Sequence, residues 1–133
     1  MKTSYTVVLS MLAGAALGAI SVGALYAQAR APGAYLVVGY TDIDDNAAYR
    51  ANVSDKAPPL LAKYGGRVIV ATNDFTVLRE GPPPFPLKRY ALIGFDTIEQ
   101  AKDYYNSADR TDIRAYIDQH TKGRAFAVKA NPQ

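Results

Sequence analysis

Leu60, Leu61 and Tyr64 recur at the spacing of one helical face, Gly65-Gly66 follows directly, and residues 68–71 (VIVA) then run as an apolar strand. Helices commonly stop on a residue with positive φ, which glycine adopts without strain. A return this short lays the helix back across the sheet that its own strand joins. Residues 58–70 therefore fix how the two layers of the domain pack.

The remaining elements follow from local signals on either side. Residues 34–41 (AYLVVGYT) form a first strand, and residues 42–46 supply turn and N-cap chemistry for a helix beginning near Ala47, with Tyr49 and Val53 on its inner face. Residues 54–59 interrupt that helix, because Pro58 disfavours helical geometry at Ala57 and Pro59 has no N–H to donate. A kink or two short helices is expected. Beyond the glycines, residues 68–71 and 75–80 flank Thr72-Asn73-Asp74 and read as a hairpin or a bulged strand. The run GPPPFP at residues 81–86 is a stiff, extended loop. Residues 89–95 (RYALIGF) make the next strand. Thr97 and Gln100 have capping-box spacing and open a helix lined on one side by Ile98, Ala101, Tyr105 and Ala108. Residues 109–111 read as a break, and residues 112–120 as a short helix burying Ile113 and either Tyr116 or Ile117. Gly123 ends the connection and residues 124–129 are the last strand. This β-α-β-β-α-β order predicts an α+β, ferredoxin-like domain, with two helices on one face of a four-stranded antiparallel sheet.

Strand composition extends the argument to assembly. A sheet with one solvated face alternates apolar and polar residues, yet Leu36-Val37-Val38, Val68-Ile69-Val70 and Ala91-Leu92-Ile93 are apolar in succession. Two helices cover only one face. The other is expected to meet the equivalent sheet of a second copy, giving a homodimeric α/β barrel.

The N-terminal 29 residues carry Lys2, an apolar run from Val7 to Leu25, and Ala27-Gln28-Ala29 in the small-x-small pattern that precedes cleavage. A signal peptide over residues 1–29, cleaved after Ala29, is expected. It would leave a single domain of residues 30–133 in the periplasm or secreted, without stable membrane association. The competing reading is an uncleaved inner-membrane anchor, since residues 5–27 approach the ~20 apolar residues that span a bilayer. Gly14, Gly18, Ser21 and Gly23 weaken that reading.

Several chemistries are excluded by residue supply. The chain has no cysteine and one histidine, His120, so thiolate nucleophiles, disulfides and Cys-containing zinc sites are absent, and no metal or organic cofactor is expected. A formal charge of +3 without Lys/Arg runs gives no nucleic-acid footprint. There is no Ser-His-Asp pattern, and Gly65-Gly66 lacks the further glycines and lysine of a phosphate loop. The candidate ligand-binding residues are Tyr49, Tyr64, Arg67, Arg89, Tyr105 and His120. His120 has the titration range of a general base, but it also stands where a histidine meets a helix C-terminal dipole. Tyr64 and Arg67 flank the glycine turn and can present a hydroxyl and a guanidinium to an anion, although Tyr64 equally suits the last core contact of its helix. Arg67 and Arg89 both fall near strand starts, where a pair facing one cleft would suit a carboxylate or would merely pair with Asp96 or Glu80. Tyr104-Tyr105 and Tyr116 would supply an aromatic lining or ordinary core.

The residues also carry a resemblance. Ala34-Tyr35, Tyr49, the stretch from Pro58 through Tyr64-Gly65-Gly66-Arg67, Glu80-Gly81, Arg89, Phe95, Ala101, Tyr105-x-Ser107 and Arg124 resemble the bacterial family catalogued as domain of unknown function 1330, over residues 34–130. The resemblance implies a dimeric α+β barrel of the ferredoxin-like kind, for which no general reaction is established. This chain departs from it at Arg110, where members usually carry an aromatic, and in its longer, stiffer triple-proline loop. The expected function is binding of a small, partly apolar molecule by an exported homodimer. The alternatives are a cofactor-independent enzyme, monooxygenase- or isomerase-like, acting on a small apolar or carboxylate-bearing molecule, and a structural or interaction module.

Overall fold

Ten residues, Ala34–Ile43, form strand β1 at the centre of the sheet. The computed structural model describes residues 30–131, so the expected signal peptide, residues 1–29, lies outside the described residues. Strands β2 (Arg67–Thr72), β3 (Arg89–Phe95) and β4 (Thr121–Lys129) complete an antiparallel sheet in the order β2-β3-β1-β4. Together with the helices this is the α+β, ferredoxin-like arrangement.

The first helical segment is built in pieces, each with a local cause. The Asp45 side chain accepts a hydrogen bond from the backbone N–H of Ala48 at 2.9 Å and so caps α1 (Asn46–Tyr49). A π turn, Arg50–Ser54, leads into α2 (Ala57–Lys63), whose first turn contains Pro58 and Pro59. First-turn N–H groups have no intrahelical acceptor, so prolines there cost no helical hydrogen bond. The prolines thus start the second piece as well as ending the first. Gly65 has φ +77°, while Gly66 is required for a different reason: a Cβ there would lie 2.6 Å from the Phe95 ring. Helix α3 (Ile98–Asn106) opens with both halves of the Thr97–Gln100 capping box in place. A 3₁₀ turn, Ala108–Arg110, links it directly to α4 (Thr111–His120).

Three expectations need correcting. Helix α3 ends at Asn106 and buries Ala101 and Tyr104, so Tyr105 is only half-buried and exposed Ala108 lies beyond the helix. Residues 75–80 are not a strand. Thr72 Oγ1 accepts from the N–H of Asp74 at 2.9 Å and turns the chain, but β2 takes β3 as its ladder partner, and the returning segment 75–88 stays irregular. A bulge does occur in this region, inside β2 between Val68 and Val70. Gly123 does not end a connection either. It sits within β4 opposite Tyr40, where the Gly39 carbonyl oxygen and the Tyr40 ring occupy the space a side chain would need.

Strand register defines an inner face. Leu36 lies opposite Ile93 and Ala127, Val38 opposite Ala91 and Ala125, and Tyr40 opposite Arg89 and Gly123. Against this face pack two clusters, one of Leu36, Leu61, Ile93, Phe95, Ala101 and Tyr104, the other of Tyr40, Tyr49, Val53 and Ile113. Phe95 and Leu61 are fully enclosed, and burying a side chain of this size stabilises by roughly 1.5–3 kcal/mol. The outer face keeps Ile69, Val70, Phe126 and Val128 substantially exposed. Phe85 and Leu87, from the end of the proline-rich loop, lie over Gly39 on that face, and the Arg124 guanidinium stands 5.2 Å above the Phe85 ring.

Candidate ligand-binding cavity

Between the inner face of the sheet and the helices lies a cavity of about 500 Å³. Small-molecule sites of this kind run from roughly 300 to 1,000 Å³ and combine an apolar wall with a few placed polar groups. Here the wall is aliphatic: Leu36, Val38, Ala91 and Ile93 from the sheet, with Val53, Leu61 and Ile113 from the helical layer. Polar groups come from Tyr40, Tyr49, Tyr104, Arg67, Arg89 and Arg110. No Asp, Glu, His or Lys lines it among the described residues.

Apart from Arg67, these polar groups form a connected set. Tyr40 sits on β1 directly across from Arg89 on β3, and the Tyr49 ring meets the Tyr40 ring edge-on with centroids 5.6 Å apart. The Tyr49 side chain is close enough to act on the Tyr40 hydroxyl, and the Arg89 guanidinium lies 5.2 Å from the centre of the Tyr49 ring. Arg89 also donates through Nη1 to Asn73 Oδ1 at 2.9 Å. From the helical side, the 3₁₀ turn after α3 aims Arg110 inward, and its side chain is only 6% exposed. It stacks 4.2 Å from the Tyr105 ring, donates to the Tyr105 carbonyl at 3.2 Å and reaches Tyr104. Burial raises the pKa of Tyr40 far above that of a free tyrosine, Tyr49 reinforces the shift, and the Arg110 charge opposes it. Tyr104 is raised for the same first reason, again with Arg110 pulling the other way. Both phenols are thus neutral hydrogen-bond donors at physiological pH.

The residues anticipated from sequence divide between cavity and surface. Tyr49, Arg67 and Arg89 line the cavity. Arg67 and Arg89 do not form one pair, however: each opens its own strand, and because β2 and β3 are antiparallel, Arg67 lies opposite Gly94, five residues from Arg89. Strand rise puts them on the order of 15 Å apart. Arg67 instead approaches Asp96, with Nη1–Oδ1 at 3.7 Å. Tyr64 packs on the core rim and donates its hydroxyl to Asp109 at 3.0 Å, beside the Lys63–Asp109 ion pair. Tyr105 packs on Arg110 and borders two other depressions beside β4. His120 lies outside the cavity, half exposed, its Nδ1 2.7 Å from Asp44 Oδ2 and its ring stacked on Tyr116. The α4 terminus faces outward, so the candidate base does not meet the cleft.

Sequence reading missed Tyr40 and Arg110 as cavity residues. Tyr40 continues the Leu36, Val38 alternation and was legible as an inner-face residue once that register is known. For Arg110 the only signal was its departure from the family resemblance noted in the sequence.

Among the described residues no group of three or more His, Asp or Glu side chains stands together as a metal site, and no helix is long and apolar enough to cross a membrane.

Comparison with known proteins gives a family and a fold. Residues 33–131 match the sequence profile of the family described as "Domain of unknown function (DUF1330)". No curated protein matches the chain. Among solved structures, the chain resembles the crystal structure of RPA0582, a protein of unknown function from Rhodopseudomonas palustris, with a TM-score of 0.53 at 13% identity. The match covers 85% of this chain and 94% of that one.

Proposed function

Because the chain belongs to the DUF1330 family, which comes without an assigned reaction, we propose its role from the cavity: an exported homodimer that binds a small, partly apolar molecule between sheet and helices. The observation that carries this reading is an aliphatic cavity of about 500 Å³ into which a few neutral and cationic donors converge. Catalysis is the weaker reading. The cavity lining, among the described residues, offers no carboxylate or imidazole, and its Tyr40 and Tyr104 hold their protons, so the lining supplies no general base of the usual kind at neutral pH.

Dimerisation is supported by the outer sheet face. Ile69 and Val70 on β2, and Phe126 and Val128 on β4, are each about 40 to 55% exposed at the two edges of that face, apolar surface that a second copy would cover. Export rests on the small-x-small pattern at Ala27–Ala29.

Native mass spectrometry of the full-length protein, expressed with its N-terminal segment and recovered from the periplasm, tests all three parts. A dimer beginning at Arg30 with a retained small molecule is the expected result. A monomer at micromolar concentration refutes the dimer, an intact Met1 in the membrane fraction refutes cleavage, and failure of any small apolar probe to bind refutes the cavity's role.

A further inference from the structure

Arg89 and Arg110 both line the cavity, and each keeps a buried Nε–H with no hydrogen-bond partner in the protein. Arginine is charged at every accessible pH, and a buried donor left unsatisfied costs on the order of 1–3 kcal/mol, more when charged. Neither guanidinium makes an ion pair with an acidic side chain among the described residues: Arg89 holds Asn73, and Arg110 holds the Tyr105 carbonyl and two aromatic rings. Tyr40 and Tyr49 stand by them, Arg89 over the Tyr49 ring and Arg110 close enough to act on Tyr40. The polar end of an otherwise aliphatic cavity therefore carries two fixed positive charges, two phenolic O–H donors and no negative charge.

From this we infer that the ligand is an apolar carboxylic acid, its carboxylate held by Arg89 and Arg110 with hydroxyl donation from Tyr40 or Tyr49, and its hydrocarbon part lying along Leu36, Val53, Ile93 and Ile113. This deepens the binding role proposed above and rests on it. A carboxylate fits the donors better than a neutral polar group. It supplies the missing counter-charge, and its planar pair of oxygens matches the side-on Nε–H and Nη–H edge of a guanidinium. The same group bound at the far end would meet Arg67, already 3.7 Å from Asp96. At about 500 Å³ the cavity suits an acid of roughly ten to fifteen non-hydrogen atoms.

Isothermal titration of the full-length purified protein with 3-phenylpropanoate, its uncharged match 3-phenylpropanamide, and phenyl phosphate decides the matter. The acid should bind at least tenfold more tightly than the amide. Arg110→Gln and, separately, Arg89→Gln should each erase most of that ratio by weakening the acid far more than the amide. Amide binding doubles as the check that each variant is folded, and if Arg110→Gln does not fold, Arg89→Gln carries the test alone. Equal affinity for acid and amide overturns the carboxylate assignment and leaves the apolar-cavity reading intact. Phenyl phosphate binding more tightly than the acid also overturns it. If neither acid nor amide binds, both readings fall.

Discussion

Gly66→Ala probes the packing on which the domain turns. The added Cβ would lie 2.6 and 2.8 Å from two ring carbons of Phe95 and 3.1 Å from Leu61 Cδ2, against ordinary contacts of 3.4 Å or more. The ring would have to retreat by about 0.8 Å, yet Phe95 is completely enclosed and packs on Tyr104 with centroids 5.9 Å apart. Overpacking of this kind costs about 1–3 kcal/mol. For a domain near 100 residues each kcal/mol lowers Tm by about 4–8 °C, so a fall between about 4 and 24 °C is expected in thermal unfolding followed by far-UV circular dichroism. Gly65→Ala supplies the contrast. Its φ of +77° costs an alanine about 1–2 kcal/mol in backbone strain, and its nearest neighbour is only the flexible Gln100 side chain. Trimming the ring should separate the two mechanisms: Phe95→Leu should partly relieve Gly66→Ala and do nothing for Gly65→Ala. A Gly66→Ala protein melting with the parent, or failing to couple to Phe95→Leu, would show that the ring is not held where the structure puts it.

Three further outcomes follow from the charges and hydroxyls. Burial raises the pKa of Tyr40 and Tyr104, so the folded chain holds these protons more tightly than the unfolded one; their contribution is complete below about pH 10 and is lost as the pH climbs beyond it. Tyr40→Phe should cost about 1 kcal/mol at pH 7 through the lost polar contact with Tyr49 and should flatten the decline of Tm between about pH 9 and 11; an unchanged slope would contradict the burial of that hydroxyl. Lys63 first, then Tyr64, hold the Asp109 carboxyl below its ordinary range, giving a contribution present above about pH 4 and lost as the pH falls. Asp109→Asn should accordingly remove part of the acid-side fall in Tm between about pH 5 and 3. His120→Ala, which breaks an exposed contact to Asp44, should leave binding of both phenylpropanoate and its amide unaltered in titration, and a lost affinity would place the imidazole closer to the ligand than its surface position allows.

The helix-glycine-strand segment was readable because each of its signals acts within a few residues: Leu60, Leu61 and Tyr64 share a face, Gly65 takes the left-handed conformation, and Thr97 reaches Gln100 across one turn. Such signals determine the β-α-β-β-α-β order, and with it the ferredoxin-like fold, from the chain alone. They misled at residues 75–80, where apolar residues beyond a turn resemble a strand but form no ladder with β2, which pairs with β3 instead. Site membership was decided later, by tertiary structure. Which arginine meets which tyrosine depends on a register that sets Tyr40 against Arg89, on an antiparallel pairing that carries Arg67 to the opposite end, and on a 3₁₀ turn that drives Arg110 under the sheet. Local sequence fixes backbone preference residue by residue, whereas the meeting of side chains from β1, β3, α1 and the turn before α4 depends on pairings between segments tens of residues apart, and only the packed domain sets those.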